Sequence, residues 1–372
     1  MRTLLGAVAM AAAAVLVTGT SAQAATGLQP VPSPNVAGSD FNQLDGVSTT
    51  TSTDAWAVGF TRPAGTLTFH ALAERLVSGK WAIVPTAPVP AIDDTRLHAI
   101  AFRTATDGWA VGEDTSASGP ANIAQSLIEH WNGTSWTRVP SPTGEPANTR
   151  LTALAVISAS DAWAVGGSTI EHWNGLSWSV ITSALPAARL LGVTAVAAND
   201  VWVVGANGAR HPNPVIQHWD GSSWTQVPQP VTGFDSVLRS VSAVSSTDVW
   251  AVGEQNLNQT VTEHWDGKSW TLVPSPSITA NNAQDTVNGV VALSGGDVWA
   301  VGQTLQGFTT NQTLALHWDG TSWQIVPSGN PGSGSNALNA VAGGGVGQPL
   351  WAVGFATGGT PQFATLIETA TG

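Results

Sequence analysis

The tetrapeptide Trp-Ala-Val-Gly, once as Trp-Val-Val-Gly, occurs seven times in this 372-residue chain, starting at Trp56, Trp109, Trp163, Trp202, Trp250, Trp299 and Trp351. Neighbouring copies lie 39 to 54 residues apart. A strand-forming motif recurring at such a period implies small sheets arranged in series, each too small to bury its own faces. An aspartate stands two positions before six of the tryptophans, at Asp54, Asp107, Asp161, Asp200, Asp248 and Asp297. A second block follows most copies: EHWNGTSW from Glu129, EHWNGLSW from Glu171, QHWDGSSW from Gln217, EHWDGKSW from Glu263 and LHWDGTSW from Leu316. All 18 tryptophans fall on one of three repeat positions, which marks them as scaffold.

Each unit resolves into four short strands. The first is an alternating run such as LTALAV (151–156) or LRSVSAV (238–244), and the second is the Asp-x-Trp-Ala-Val-Gly segment. The third carries His-Trp and the fourth the next tryptophan, with Asn-Gly or Asp-Gly between them for a tight turn with positive φ. Apolar spacing of three and four is missing beyond the first 24 residues. The expected fold is all-β, a seven-bladed β-propeller with four antiparallel strands per blade.

One fragment is out of place. VPSP closes the units at 139–142 and 273–276, yet it also stands at 31–34, before any unit has begun. The last unit has three strands, LNAVAG (338–343), LWAVGF (350–355) and ATLIET (364–369), and lacks a fourth. Residues 25–34 are therefore expected to complete the last blade, with Leu28 where other units place Trp136 or Trp270. Such pairing removes a free sheet edge and closes the ring.

Arg2, the apolar run Leu4–Val17 and Ala22-Gln23-Ala24 form a secretory signal with an A-x-A cleavage site, so 1–24 is expected to be removed. The mature chain, 25–372, would then be a single propeller, secreted and extracellular. The apolar run is too short for a membrane span, so no membrane insertion is expected. A net charge of −12 disfavours nucleic acid. With no cysteine there is no disulfide or thiolate metal site, and with no tyrosine a sialidase-type nucleophile is excluded.

DVWAVGE…HWDGKSW resembles the repeat of the photosystem II stability/assembly factor-like propellers, where GWAVG precedes a DGGxTW turn. Here the turn is one residue shorter (Asp266-Gly267-Lys268-Ser269-Trp270), which also departs from the Asp-box (BNR) turn of sialidase-type propellers. The Trp-x-x-Val-Pro ending is similar to kelch repeats. The resemblance covers every unit from about residue 44 and implies a non-catalytic propeller that binds a protein or another ligand.

Candidate site residues divide by whether they repeat. The aspartates named above and His130, His172, His218, His264 and His317 recur, so they are expected to form a structural hydrogen-bond network, without metal or cofactor. Glu129, Glu171 and Glu263 share that reading. Arg96, Arg150 and Arg189 precede three successive first strands in one register, with Arg239 two positions later in the next unit and His98 nearby. First strands line a propeller's channel, so these groups either bind an anionic ligand at its mouth or tie neighbouring blades through carboxylates. First-to-second and third-to-fourth turns are short and constant, while the connections on the other face vary (61–71, 113–125, 206–214, 304–313). That variable-loop face is the expected binding surface, with Phe60, Phe69, Phe234, Phe308 and His211 as loop candidates. The expected role is recognition of a protein or glycan by a monomer. A carbohydrate-active hydrolase or lyase using pairs such as Asp93-Asp94 or Glu113-Asp114, and a structural envelope component, are the alternatives.

Overall fold

The computed structural model describes residues 27–90, 93–115, 123–142, 146, 148–230, 235–256, 258–278, 283–307, 309–345 and 347–371. The expected leader, 1–24, and the candidates Phe234 and Phe308 lie outside these residues. Every regular element described is a strand. After the short β1 (Gln29–Val31), β2–β5 span 39–84, β6–β9 94–138, β10–β13 153–181, β14–β17 189–227, β18–β21 237–272 and β22–β25 284–326. Last come β26 (Asn336–Gly343), β27 (Pro349–Thr357) and β28 (Phe363–Thr371).

Five of these groups are separate four-stranded antiparallel sheets. The remaining strands form one eight-stranded sheet, in which β26–β28 meet β2–β5 through a single parallel bridge, Phe41 to Phe363. β1 pairs antiparallel with β28, Gln29 opposite Thr369 and Val31 opposite Ile367. The N-terminal segment thus supplies the strand that the last unit lacks. The first strands touch in succession, and β26 in turn touches β2, so the units form a closed ring.

The apolar core is distributed over the gaps between units. In each gap the tryptophan of the Trp-Ala-Val-Gly strand meets, edge to face, the fourth-strand tryptophan of the following unit. Trp56 meets Trp136, Trp109 meets Trp178, Trp163 meets Trp224, Trp202 meets Trp270 and Trp250 meets Trp323, with ring centroids 5.3–5.5 Å apart. Trp351 meets Trp81 in the same way across the N-terminal junction. Trp299 instead shares its cluster with fully buried Leu28. Edge-on packing directs the positive rim of one indole at the negative face of the other. The fourth-strand indole N–H groups are buried here without an oxygen or nitrogen acceptor.

The motif glycine has a steric cause. A Cβ on Gly253 would lie 1.9 Å from the Val237 carbonyl oxygen. That carbonyl is pushed inward because pairing jumps from Leu238–Gly253 to Ser240–Val252, leaving Arg239 as an extra residue in a β-bulge. The turns differ in detail from the tight hairpin expected. Trp131 pairs with Trp136, so four residues connect the strands, and Asn132 Oδ1 accepts the Thr134 and Ser135 amides, both at 3.0 Å. Gly133 takes the positive φ, 96°, and Asn132 does not.

Candidate functional site: the channel mouth and its rim

The same bulge recurs opposite the motif glycine in most units. Its extra residue is Asp45, His98, Leu191, Arg239, Asn288 or Asn339. Bulges re-aim side chains, and here they aim them at the axis. Together with Thr152 and Gln43 these residues wall a cavity of about 260 Å³ at the end of the channel that faces the variable loops.

The ring is polar and internally bonded. His98 Nδ1 lies 2.8 Å from Asp45 Oδ2, and its Nε2 lies 3.7 Å from Glu113 Oε1. Burial favours the neutral imidazole, but the hydrogen bonds and charges of Asp45 and Glu113 outweigh it and raise the pKa to about 9. Gln43 and Asn339 donate to Asp45 Oδ1 at 2.6 and 3.1 Å, and Asn339 also reaches the Leu44 carbonyl. Asn288 donates to the Leu338 carbonyl of the next unit. Arg239 grips Glu254 through two bonds of 2.6 and 2.7 Å.

Of the arginines singled out from sequence, only Arg239 stands in this ring, alongside His98. Arg96, Arg150 and Arg189 sit two positions too early and do not line the cavity. Arg96 hydrogen-bonds Asp94 and Glu113, and Arg150 Nε forms an ion pair with Glu113 Oε2 at 2.6 Å. Arg189 is exposed. The carboxylates proposed as a catalytic pair are engaged too, since Asp114 bonds Arg138 and Glu113 is shared between Arg96 and Arg150. Exposed His211 pairs with Asp235. Among the described residues no three His, Asp or Glu side chains gather as metal ligands would.

Beside the ring lies a phenylalanine cluster of which sequence reasoning had singled out only Phe60 and Phe69. Phe41 stacks on Phe363 (4.3 Å) and Phe60 (5.6 Å) and meets Phe69 edge-on, while Phe355 packs on Phe363. The Arg96 guanidinium covers Phe69 at 4.3 Å, and Arg62 covers Phe41 and Phe69. Phe60 touches His98 edge-on at 6.0 Å, which joins this cluster to the channel ring. Phe41, Phe69, Phe355 and Phe363 are half-buried, and Leu67 beside them is 87% exposed. Phe41 and Phe363 are 322 positions apart, and neither belongs to the repeat, so no local signal marked them.

The recurring polar residues sit on the opposite side of each unit. His130, His172, His218, His264 and His317 place Nε2 2.8–3.0 Å from Oδ1 of Asp107, Asp161, Asp200, Asp248 and Asp297. Each imidazole also lies against its own unit's motif tryptophan at 4.2–4.5 Å. In the first unit Arg75 takes the histidine's place, 2.9 Å from Asp54 and over Trp56. The buried third-strand acids tie units together instead. Glu129 accepts the Ala87 amide, Glu368 the Gly329 amide and Glu74 the Ser33 hydroxyl, each from the segment leaving the preceding unit. Desolvation raises their pKa values to about 7, 8 and 8 respectively.

No family model and no curated protein matches this chain. Solved structures do. YCF48 bound to D1 peptide aligns over 96% of this chain and 100% of its own, with TM-score 0.59 and 13% identity. YCF48 from Cyanidioschyzon merolae aligns over 92% and 98%, with TM-score 0.58 and 13% identity. The WD40 repeats of RRP9 align over 94% and 99%, with TM-score 0.59 and 11% identity. At such identities the likeness is one of fold, and that fold is the β-propeller.

Proposed function

We propose that this chain is an exported, seven-bladed, non-enzymatic recognition propeller that binds a segment of another protein over the channel mouth and the adjoining phenylalanine cluster. The blade count treats the eight-stranded sheet as two blades, since one bridge joins its halves while each half pairs extensively within itself. The observation that carries the binding reading is continuity: the polar ring and the half-buried aromatic cluster meet at His98 and Phe60, on the face that also bears the variable connections. Arg96, Arg150 and Arg239 already have carboxylate partners, so this surface selects by apolar contact and hydrogen bonding more than by free charge. A propeller of like fold is described as bound to a peptide, in keeping with this reading. The succession of Arg2, an apolar run and an A-x-A site in 1–24 supports export, and N-terminal sequencing of the protein recovered outside the cell tests it.

The binding test is a displayed peptide library panned on the full chain, followed by fluorescence anisotropy of the enriched peptides. Phe69→Ser should weaken them at least tenfold, the loss of an aromatic anchor being worth more than about 1.4 kcal/mol. Leu176→Ser, on the opposite face, should leave them unchanged. Enriched peptides that bind the Phe69 variant as tightly as the parent would sink the proposal.

A further inference from the structure

The face opposite the channel mouth holds a second cavity that the proposed function does not use. It lies between the units 189–227 and 237–272, measures about 500 Å³, and is walled by Val196, Asn199, Asp200, His218, Ser246 and Trp265 among others. That is within the ~300–1,000 Å³ of small-molecule sites.

Its chemistry is specific. Asp200 Oδ1 accepts from both His218 Nε2 (2.8 Å) and Trp202 Nε1 (2.9 Å). Nε2 therefore donates to the carboxylate, and in a neutral ring so held Nδ1 is an acceptor. Among the described residues nothing donates to Asp200 Oδ2 or His218 Nδ1, and neither atom is sealed from solvent. Trp265, from the next unit, is fixed by its N–H on the Ser246 carbonyl at 3.2 Å and lies half-buried across Trp202, centroids 5.0 Å apart. Exposed Asn199 and Ser246 add an amide and a hydroxyl at the rim. The lining contains no lysine or arginine, so an anion finds no counter-charge.

Fixed acceptors beside a partly open indole, with no cation, suit a ligand that offers several hydroxyl donors and one apolar C–H face. We propose that this cavity binds a neutral pyranose sugar, with Trp265 against the ring's C–H face and Asp200, His218 and Asn199 taking its hydroxyls. In this assignment Trp265, a repeat tryptophan, serves both as scaffold and as the sugar's apolar platform.

The equivalent gaps carry different side chains at these positions. Equivalent sets exist at Asp107, Trp109, His130 and Trp173, at Asp248, Trp250, His264 and Trp318, and at Asp161, Trp163, His172 and Trp219. Four positions before the aspartate the first set has Arg103, which bonds Asp107 Oδ2 at 2.8 Å and so occupies the oxygen that Asp200 leaves available. The second set keeps a valine, Val244, 40% exposed like Val196 at 38%, but has Gly295 where Ser246 supplies a hydroxyl.

The test uses the full chain and the methyl glycosides of glucose, galactose, mannose and N-acetylglucosamine, read by saturation-transfer NMR and tryptophan fluorescence. At least one should bind at millimolar concentration. Val196→Trp, which fills the cavity, should weaken it at least tenfold, and Asn199→Ala, in an exposed turn, severalfold. Phe69→Ser should change nothing, which separates this site from the peptide surface. No transfer to any of the four glycosides, or equal binding by folded Val196→Trp and Asn199→Ala proteins, would overturn the assignment.

Discussion

Leu28→Ala tests whether the N-terminal segment closes the ring energetically as well as geometrically. Leu28 is 0% exposed and packs with Trp299, Val326, Leu338, Leu350 and Leu366, in the place that six other units give to tryptophan. Its amide donates to the Pro327 carbonyl at 2.8 Å, and the path is so close that a Cβ on Gly27 would lie 2.2 Å from that oxygen. Removing three carbons from a fully buried leucine costs about 2–5 kcal/mol, part transfer and part residual cavity. Because the segment is near a chain end and its neighbours can relax, the lower half of that range, about 3 kcal/mol, is expected. Urea unfolding followed by tryptophan emission reads it. The midpoint should fall with an unchanged slope if the ring opens as one unit. A shallower slope would mean that β1 peels away before the rest. Leu176→Ala is the control, since Leu176 is 88% exposed and its truncation should stay within about 0.5 kcal/mol. If the two variants unfold at the same urea concentration, the ring does not depend on its N-terminal clasp.

Three further outcomes are expected. Gly253→Ala forces a Cβ to within 1.9 Å of a backbone oxygen and should cost about 1–3 kcal/mol in the same assay, whereas Gly345→Ala, with open space around it, should suffer only the strain of its positive φ. Stability should decline as pH rises from about 5 to 9. Glu74, Glu129 and Glu368 hold protons up to pH 7–8 in the folded state and only to about 4.5 unfolded, and His98 holds one to about 9 against 6.5, so the folded state binds the extra protons throughout that window. Below pH 4 the trend reverses, because Asp107 and Glu113 are held below their usual range and lose that stabilisation on protonation; melting temperatures across this range check both limbs. His264→Ala should cost about 1–3 kcal/mol by leaving Asp248 with fewer donors and Trp250 uncovered, and His264→Gln less, as measured by thermal unfolding.

The strand order, the turn positions and the donation of residues 29–31 to the last unit were legible because each is written locally. Tryptophan spacing, Asx-Gly dipeptides and a displaced VPSP are one-dimensional signals. The ring of bulged residues was half legible. His98 and Arg239 drew attention as charges in a first strand, while Asp45, Asn288 and Asn339 did not. Aligning the strands on the leucine or valine opposite the motif glycine would have found all of them. Arg96, Arg150 and Arg189 fall two positions short of the ring, because alternation indicates the side of a strand but not where a bulge shifts it, and Arg150 takes the other role weighed for it by pairing with Glu113 of the neighbouring unit.

The amino-acid order alone settled the repeating unit and its ends, since period-two alternation and turn chemistry act between near neighbours. Folding in three dimensions settled everything that depends on distance across the ring. It gathered Phe41, Phe60, Phe69, Phe355 and Phe363 into one cluster, gave Arg96, Arg150 and Arg239 their carboxylates, and opened a cavity beside Asp200, where the equivalent Asp107 is bonded by Arg103. Such contacts join residues that a linear pattern keeps apart, and small differences of side-chain volume in one shared geometry decide which gap can hold a ligand.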